Sequence, residues 1–307
     1  MVIRNNSVLI CLLISGFLLI SDFAFTQQLI SGEADTSNIH KTDTNFVSEQ
    51  SPIVDETNSI QQPELNTNNS FVFGIGTANM YDTYLSPLEY KGISFRIYNE
   101  QMRRTTWFDY QFYKQQIIDL EFAKGDNPAK NATEYWILGN YRLGGHYTVY
   151  NSDGLRVGIG GLGDFSAGVL YNDRNGNNPA SARGYANFNL SAIASYKMRK
   201  MAVRWQIDSP IAGVLCSYRQ SYYEIYLGNT TNMVYFASLH NQRALRNYLS
   251  FDIPIKNYTI RVGYLGSFYQ TNVNGIQTHH YTNTFLIGFP MEGVKKQRTR
   301  ATNNYWD

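Results

Sequence analysis

The chain has 307 residues and a formal net charge of +2, so no bulk electrostatic attraction to nucleic acid is expected. Aromatic residues reach 15%, with Tyr 24 and Phe 17. The mean hydropathy of −0.35 does not exclude a membrane, because strands in which every second residue is polar average out.

The first segment, 1–26, reads as an export signal. Arg4 gives the positive start, Val8 to Ile20 is apolar, and Ala24-Phe25-Thr26 precedes a cleavage point at Gln27. A spanning helix needs about 20 apolar residues, and Asp22 cuts this run short. Ile10 before Cys11 is too bulky for a lipoprotein cleavage site. After cleavage Cys216 remains alone, which leaves no internal disulfide or cysteine metal cluster, and it reads as a packing residue. Residues 27–70 are rich in Ser, Thr, Asn, Asp, Glu and Gln without a period. Such a segment buries too little apolar area to offset its ordering entropy, so it reads as a disordered periplasmic arm.

From Phe71 to Phe289 apolar and polar residues alternate in long runs. From Trp107 to Ala123, Phe108, Tyr110, Phe112, Ile118, Leu120 and Phe122 oppose Asp109, Gln111, Gln115, Asp119 and Glu121. Period-two alternation marks a strand with one apolar and one polar face. Runs this long suit a membrane barrel, whose outer face meets lipid and whose inner face lines a lumen. The expected architecture is all-β, an up-and-down antiparallel transmembrane barrel of about 12 strands over 71–289. The strands fall near 71–80, 90–101, 104–124, 133–150, 154–172, 183–198, 200–209, 221–228, 232–240, 244–254, 257–270 and 277–289. The alternative is 10 strands with 221–228 as a lumenal inlay. Connections at Gln101–Arg104, Asn151–Gly154, Arg199–Lys200, Asn229–Asn232 and Pro254–Asn257 are short, as periplasmic turns are. The last strand ends on Phe285, Ile287 and Phe289. The tail 290–307 carries the basic run Lys295-Lys296-Gln297-Arg298-Thr299-Arg300.

Lys114 is the main charge on the lipid phase, in a strand long enough to project beyond the bilayer. The other charges gather on the lumen phase: Arg96, Glu100, Asp109, Asp119, Glu121, Glu134, Arg142, Arg156, Asp164, Arg204, Asp208, Arg246, Asp252 and Arg261. Glu224, between tyrosines, joins them as a candidate that locks an inlay or grips a ligand. Mixed signs in a narrow lumen predict pairing across it, either as structural packing or as the lining of a thin pore.

Three stretches stand apart: Asp82-Thr83-Tyr84-Leu85-Ser86-Pro87-Leu88-Glu89-Tyr90, Arg174-Asn175-Gly176-Asn177-Asn178-Pro179-Ala180, and Ser209-Pro210-Ile211-Ala212-Gly213-Val214 followed by Ser221 to Asn229. Ser-Pro at 86–87 and 209–210 suits strand ends, because Pro cannot join the ladder. With the signal and the barrel pattern, these stretches resemble a family of Gram-negative outer-membrane barrels known as a domain of unknown function, the DUF3316 type. The resemblance runs from about Thr77 to Phe289. It implies a barrel in the outer membrane and carries over no activity, ligand or catalytic residue.

No catalytic residue, metal or cofactor is expected. Ser209, Ser221 and His240 lack a nucleophile elbow or oxyanion signature. His279 and His280 are adjacent and point to opposite faces of a strand. Gly158-x-Gly160-Gly161-x-Gly163 lies inside a strand and opens no helix, so it fits wall curvature and not a dinucleotide. The first functional expectation is a narrow channel for small solutes. The second is a structural or assembly barrel that binds an envelope protein through the arm or loops, and the third a lipid-modifying enzyme. The expected surroundings are outer-membrane lipid.

Overall fold

The structure, a computed structural model, describes residues 67–198, 201–217, 234–255, 258–273 and 275–293. It holds eleven strands: β1 (Thr67–Asp82), β2 (Ser86–Arg104), β3 (Phe112–Asp126), β4 (Thr133–Ser152), β5 (Leu155–Asn172), β6 (Ala180–Lys197), β7 (Ala202–Ser217), β8 (Val234–Ser238), β9 (Gln242–Ile255), β10 (Tyr258–Val273) and β11 (Ile276–Gly293). Neighbours pair antiparallel, β1 pairs with β11, and β6 pairs with β7, so the sheet closes on itself. Closure pairs the wall strands on both sides, as a lipid-exposed sheet requires, and the exception is the short β8, bonded to β7 alone among the described residues.

The wall has ten positions, not twelve. β9 pairs the lower half of β7, Ala202 to Asp208, and the five-residue β8 takes the upper half, Ala212 to Cys216. Two segments therefore share one place beside β7. The expected strand 221–228, with Glu224, lies outside the described residues, as do the signal, residues 27–66 and the tail beyond 293. Among the described residues the wall runs from Thr67 to Gly293, which face each other across β1 and β11.

Two further expectations change. β7 does not end at Ser209-Pro210 but passes through it. Asn189 pairs with Pro210 and Phe188 with Ala212, which leaves Ile211 as an extra residue in a bulge. A bulge tolerates a residue without an N–H. The run 104–124 is also not one strand. The chain turns at Thr105 to Gln111, with Phe108, Asp109 and Tyr110 all at positive φ, and Thr105 donates its N–H to the Phe112 carbonyl at 2.9 Å. Ser86-Pro87, by contrast, opens β2 as expected, and Asp153-Gly154 makes the tight β4–β5 turn with φ of 51° and 79°.

Outward residues form an apolar band. Phe73, Ile75, Phe95, Ile137, Ile159, Leu190, Phe285 and Ile287 all lie exposed on it. On β3, Lys114 and Lys124 face outward ten residues apart. At about 3.3 Å per residue and a tilt of about 40°, that spacing spans roughly 25 Å, the height of a barrel's apolar band. Lys114 thus marks one border of the band, with its stem along the wall and its head at the edge. Polar side chains on this face find partners beside them. Trp205 Nε1 donates to Asn247 Oδ1 at 2.6 Å, and the Tyr264 hydroxyl donates to Asn283 Oδ1 at 2.5 Å. Unpaired, such groups would be costly in hydrocarbon.

Candidate functional site: an ion-paired lumen

Strand parity sends every second side chain inward, and the inward set is where the charges are. Twelve of the expected lumen residues are buried inside: Arg96, Glu100, Asp119, Glu121, Glu134, Arg142, Asp164, Arg204, Asp208, Arg246, Asp252 and Arg261. Asp109 is not among them. It is exposed at the β2–β3 turn, where the chain has left the ladder. Arg156 stands half-buried at the periplasmic mouth, its guanidinium 5.0 Å from the Tyr113 ring centre.

Three of the pairs join neighbouring strands at directly opposed positions: Arg96 with Glu121, Arg142 with Asp164, and Arg261 with Asp252. Three others cross the barrel. In the ring of ten positions β2 faces β7, β3 faces β9, and β1 faces β6. Arg204 on β7 reaches Glu100 on β2 at 2.5 Å. Arg246 on β9 reaches Asp119 on β3 at 3.1 Å. Arg183 on β6 reaches Asp82 on β1 at 2.5 Å. The first strut lies near the periplasmic end, the second at mid-height and the third near the extracellular end. Each spans a full diameter, so the lumen is bridged at three levels.

The lowest level is the most crowded. Glu100 accepts from Arg204, from Arg261 at 3.1 Å and from Gln115 at 2.5 Å. Arg261 also grips Asp252 through Nε and Nη2 at 2.6 and 2.8 Å, the two-pronged geometry that makes arginine pairs strong. Tyr98 and Tyr248 pack at 5.5 Å between ring centres, with Arg246 over the first and Arg204 over the second. Val72, Ile117, Leu265 and Leu286 close around them. This plug of ion pairs, aromatic rings and aliphatic side chains is packed like a protein interior.

Above it a cavity of about 50 Å³ lies among Arg96, Asp119, Arg142, Asn187, Asn189 and Arg246. That volume holds on the order of three to four waters. Buried polar atoms without a protein partner gather here: Asn187 Oδ1, Asn189 Oδ1, Asn140 Oδ1, Arg246 Nη2, Trp136 Nε1 and Asp119 Oδ1. Glu134 stands higher, held by Asn172 at 2.9 Å, and no arginine pairs with it among the described residues.

Several members lie outside the expected set. His146 and His280 are buried, and His280 bonds Glu121. Arg183 and Asp82 form the top strut although both sit near strand ends. Ser191 lies between His146, at 2.7 Å, and Asp208, at 2.5 Å. The three residue types match a hydrolytic triad, but the order does not. In a triad the histidine bridges serine and acid; here the serine bridges the other two and His146 is shut away from water. Ser209 donates to the Ala244 carbonyl, and His240 bonds Ser238, so each has a partner elsewhere. Ser221 is outside the described residues. Among the described residues no group of three His, Cys, Asp or Glu side chains could hold a metal.

The barrel is similar in shape to outer membrane protease OmpT from Escherichia coli, at a TM-score of 0.40 and 10% identity, covering 77% of this chain and 99% of that one. It is similar to the translocator domain of autotransporter NalP from Neisseria meningitidis, at a TM-score of 0.38 and 8% identity, covering 75% and 90%. A third likeness is to the toluene transporter TodX from Pseudomonas putida, at 0.26 and 8%, covering 74% and 88%. At these scores the likenesses carry no argument about activity. No curated protein sequence matches the chain. The closed wall, the apolar exterior and the polar lumen are those of an outer-membrane-type barrel on their own account. A family model matches residues 26–298, and the chain belongs to that family, described as protein of unknown function (DUF3316).

Proposed function

We propose that this protein is a closed outer-membrane barrel of a Gram-negative envelope that acts through its outer wall and its two ends, as a structural or assembly component. The observation that carries this reading is the set of three arginine–carboxylate struts across the lumen diameter. A barrel used as an open conduit has no use for side chains that bridge it at every level. The test is conductance of the purified, folded protein in planar bilayers. Silence toward ions at all voltages is expected, and steady single-channel steps would refute it.

The narrow channel is the second reading, and the small polar cavity above the plug favours it. That reading requires all three struts and the tyrosine pair to part. Enzymatic activity has the least support, since the serine, histidine and acid that do meet are arranged as a buried network.

A further inference from the structure

One feature of the outer wall answers to none of this. Around the periplasmic border, outward positions on successive strands form the row Arg103, Lys114, Gly145, Gly161 and Leu190, each paired with the next. Arg103 and Lys114 are exposed and directly opposed. Like charges directly opposite destabilise a strand pair. Neither cation forms an ion pair with a carboxylate among the described residues.

Beside this cation pair the wall is concave. A groove of about 800 Å³ runs over Gly145 and Gly161, between Phe112 and Tyr147 on one side and Phe188 on the other. Ligand pockets are typically about 300–1,000 Å³. The flanking rings lean over two outward positions that have no side chain. A Cβ at Gly145 would come 2.5 Å from Phe112 Cζ, and one at Gly161 would come 2.6 Å from Phe188 Cζ. Trp107 and Phe108 close the periplasmic end, held against Phe112 and Tyr147 at 5.6 and 5.8 Å between ring centres. The turn that places them has three successive non-glycine residues at positive φ. Each is an unfavourable conformation that persists only where its surroundings hold it.

We propose that this groove seats one anionic phospholipid of the inner leaflet, with its phosphate between Arg103 and Lys114 and an acyl chain along the glycine floor. The apolar trough opens on the hydrocarbon band, and the unpaired cations stand where headgroups lie. Both chain ends of the wall, Thr67 and Gly293, meet at this same end of the barrel, which places the site in the periplasmic leaflet. The proposal rests on the transmembrane reading.

The test uses the full chain in nanodiscs of phosphatidylethanolamine with phosphatidylglycerol as the probe, read by native mass spectrometry. One retained phosphatidylglycerol per barrel is expected. Arg103→Gln with Lys114→Gln should weaken retention about thirtyfold, each surface cation contributing about a factor of five. Lys124→Gln at the opposite border should change nothing, and all variants should keep the heat-modifiable mobility of a folded barrel. Gly161→Leu, to which the Phe188 ring can yield, should block the trough with both cations intact. An inserted barrel with no preference for phosphatidylglycerol, or one whose lipid survives loss of both cations, overturns the proposal alone. A lipopolysaccharide adduct that depends on the same cations also overturns it. A chain that fails to insert overturns the transmembrane reading with it.

Discussion

Glu100 is the residue on which the lower lumen turns. Its carboxylate accepts from two arginines on different strands and from Gln115. Among the described residues, removing it leaves Arg204 with no carboxylate and Arg261 with Asp252 alone. Breaking a buried pair by deleting one partner is destabilising by about 3–5 kcal/mol, because the remaining charge stays buried. Glu100→Gln keeps the shape and the hydrogen bond from Gln115 but not the charge. We therefore expect it to lower the temperature at which the purified barrel loses its folded gel mobility. Adding Arg204→Met should restore much of the loss, since the second change removes the stranded cation. If the single and double variants unfold together with the wild type, the pairs do not hold the lumen. These residues were legible in the sequence as inward charges because parity is set by the backbone. Their partners were not, because Arg204 and Glu100 lie 104 positions apart and only closure of the ring brings them together.

At the level of elements, β7 shows where periodicity informs and where it misleads. Its inward set is Arg204, Gln206, Asp208 and Pro210, then Gly213 and Leu215. The step from 210 to 213 breaks the period of two, so strict alternation ends the strand at 209. The extra residue is Ile211, which has no partner on β6. Deleting Ile211 would return a regular ladder and leave every inward residue inward. We expect that variant to assemble as a folded barrel with a loss of about 1 kcal/mol, from a strained Pro210 in a continuous ladder. Deleting Ile207 is the contrasting case. It shifts one part of β7 by one residue, and a one-residue slip moves a whole face to the other side. Arg204 and Gln206 would then face outward near the periplasmic border, where an arginine is unfavourable by only about 0–1 kcal/mol, but Glu100 would lose its partner across the lumen. That protein should fail to show a heat-modifiable band. Equal behaviour of the two deletions would mean that the bulge is not where the parity changes. The β2–β3 turn misleads in the opposite sense. Trp107, Phe108, Asp109 and Tyr110 alternate as a strand would, but three of them are left-handed, and no side-chain pattern reports φ.

For the molecule as a whole, the question is whether the lumen is closed by a few struts or by packing throughout. A ring of ten strands places β2 opposite β7, β3 opposite β9 and β1 opposite β6, and one arginine crosses each of these diameters at a different height. Sequence periodicity anticipates an outside and an inside, and charge sign anticipates pairing. Neither reveals that the pairs are diametric, because strand count fixes which strands face each other. With twelve positions β2 would face a different strand, and Arg204 would not meet Glu100. The two accounts of closure diverge when struts are removed as neutral pairs. Replacing Glu100 and Arg204 together by serine should leave the barrel silent in planar bilayers, since the two struts above still bridge the bore. Replacing Asp119 with Arg246 and Asp82 with Arg183 by serine as well should open a continuous polar path and give ohmic steps. The steps should appear only in the triple-pair variant, because the bridges act in series and any one of them blocks the path. If that variant inserts and remains silent, the aliphatic and aromatic side chains around Tyr98 and Tyr248 seal the bore by themselves, and the struts serve to hold the wall together.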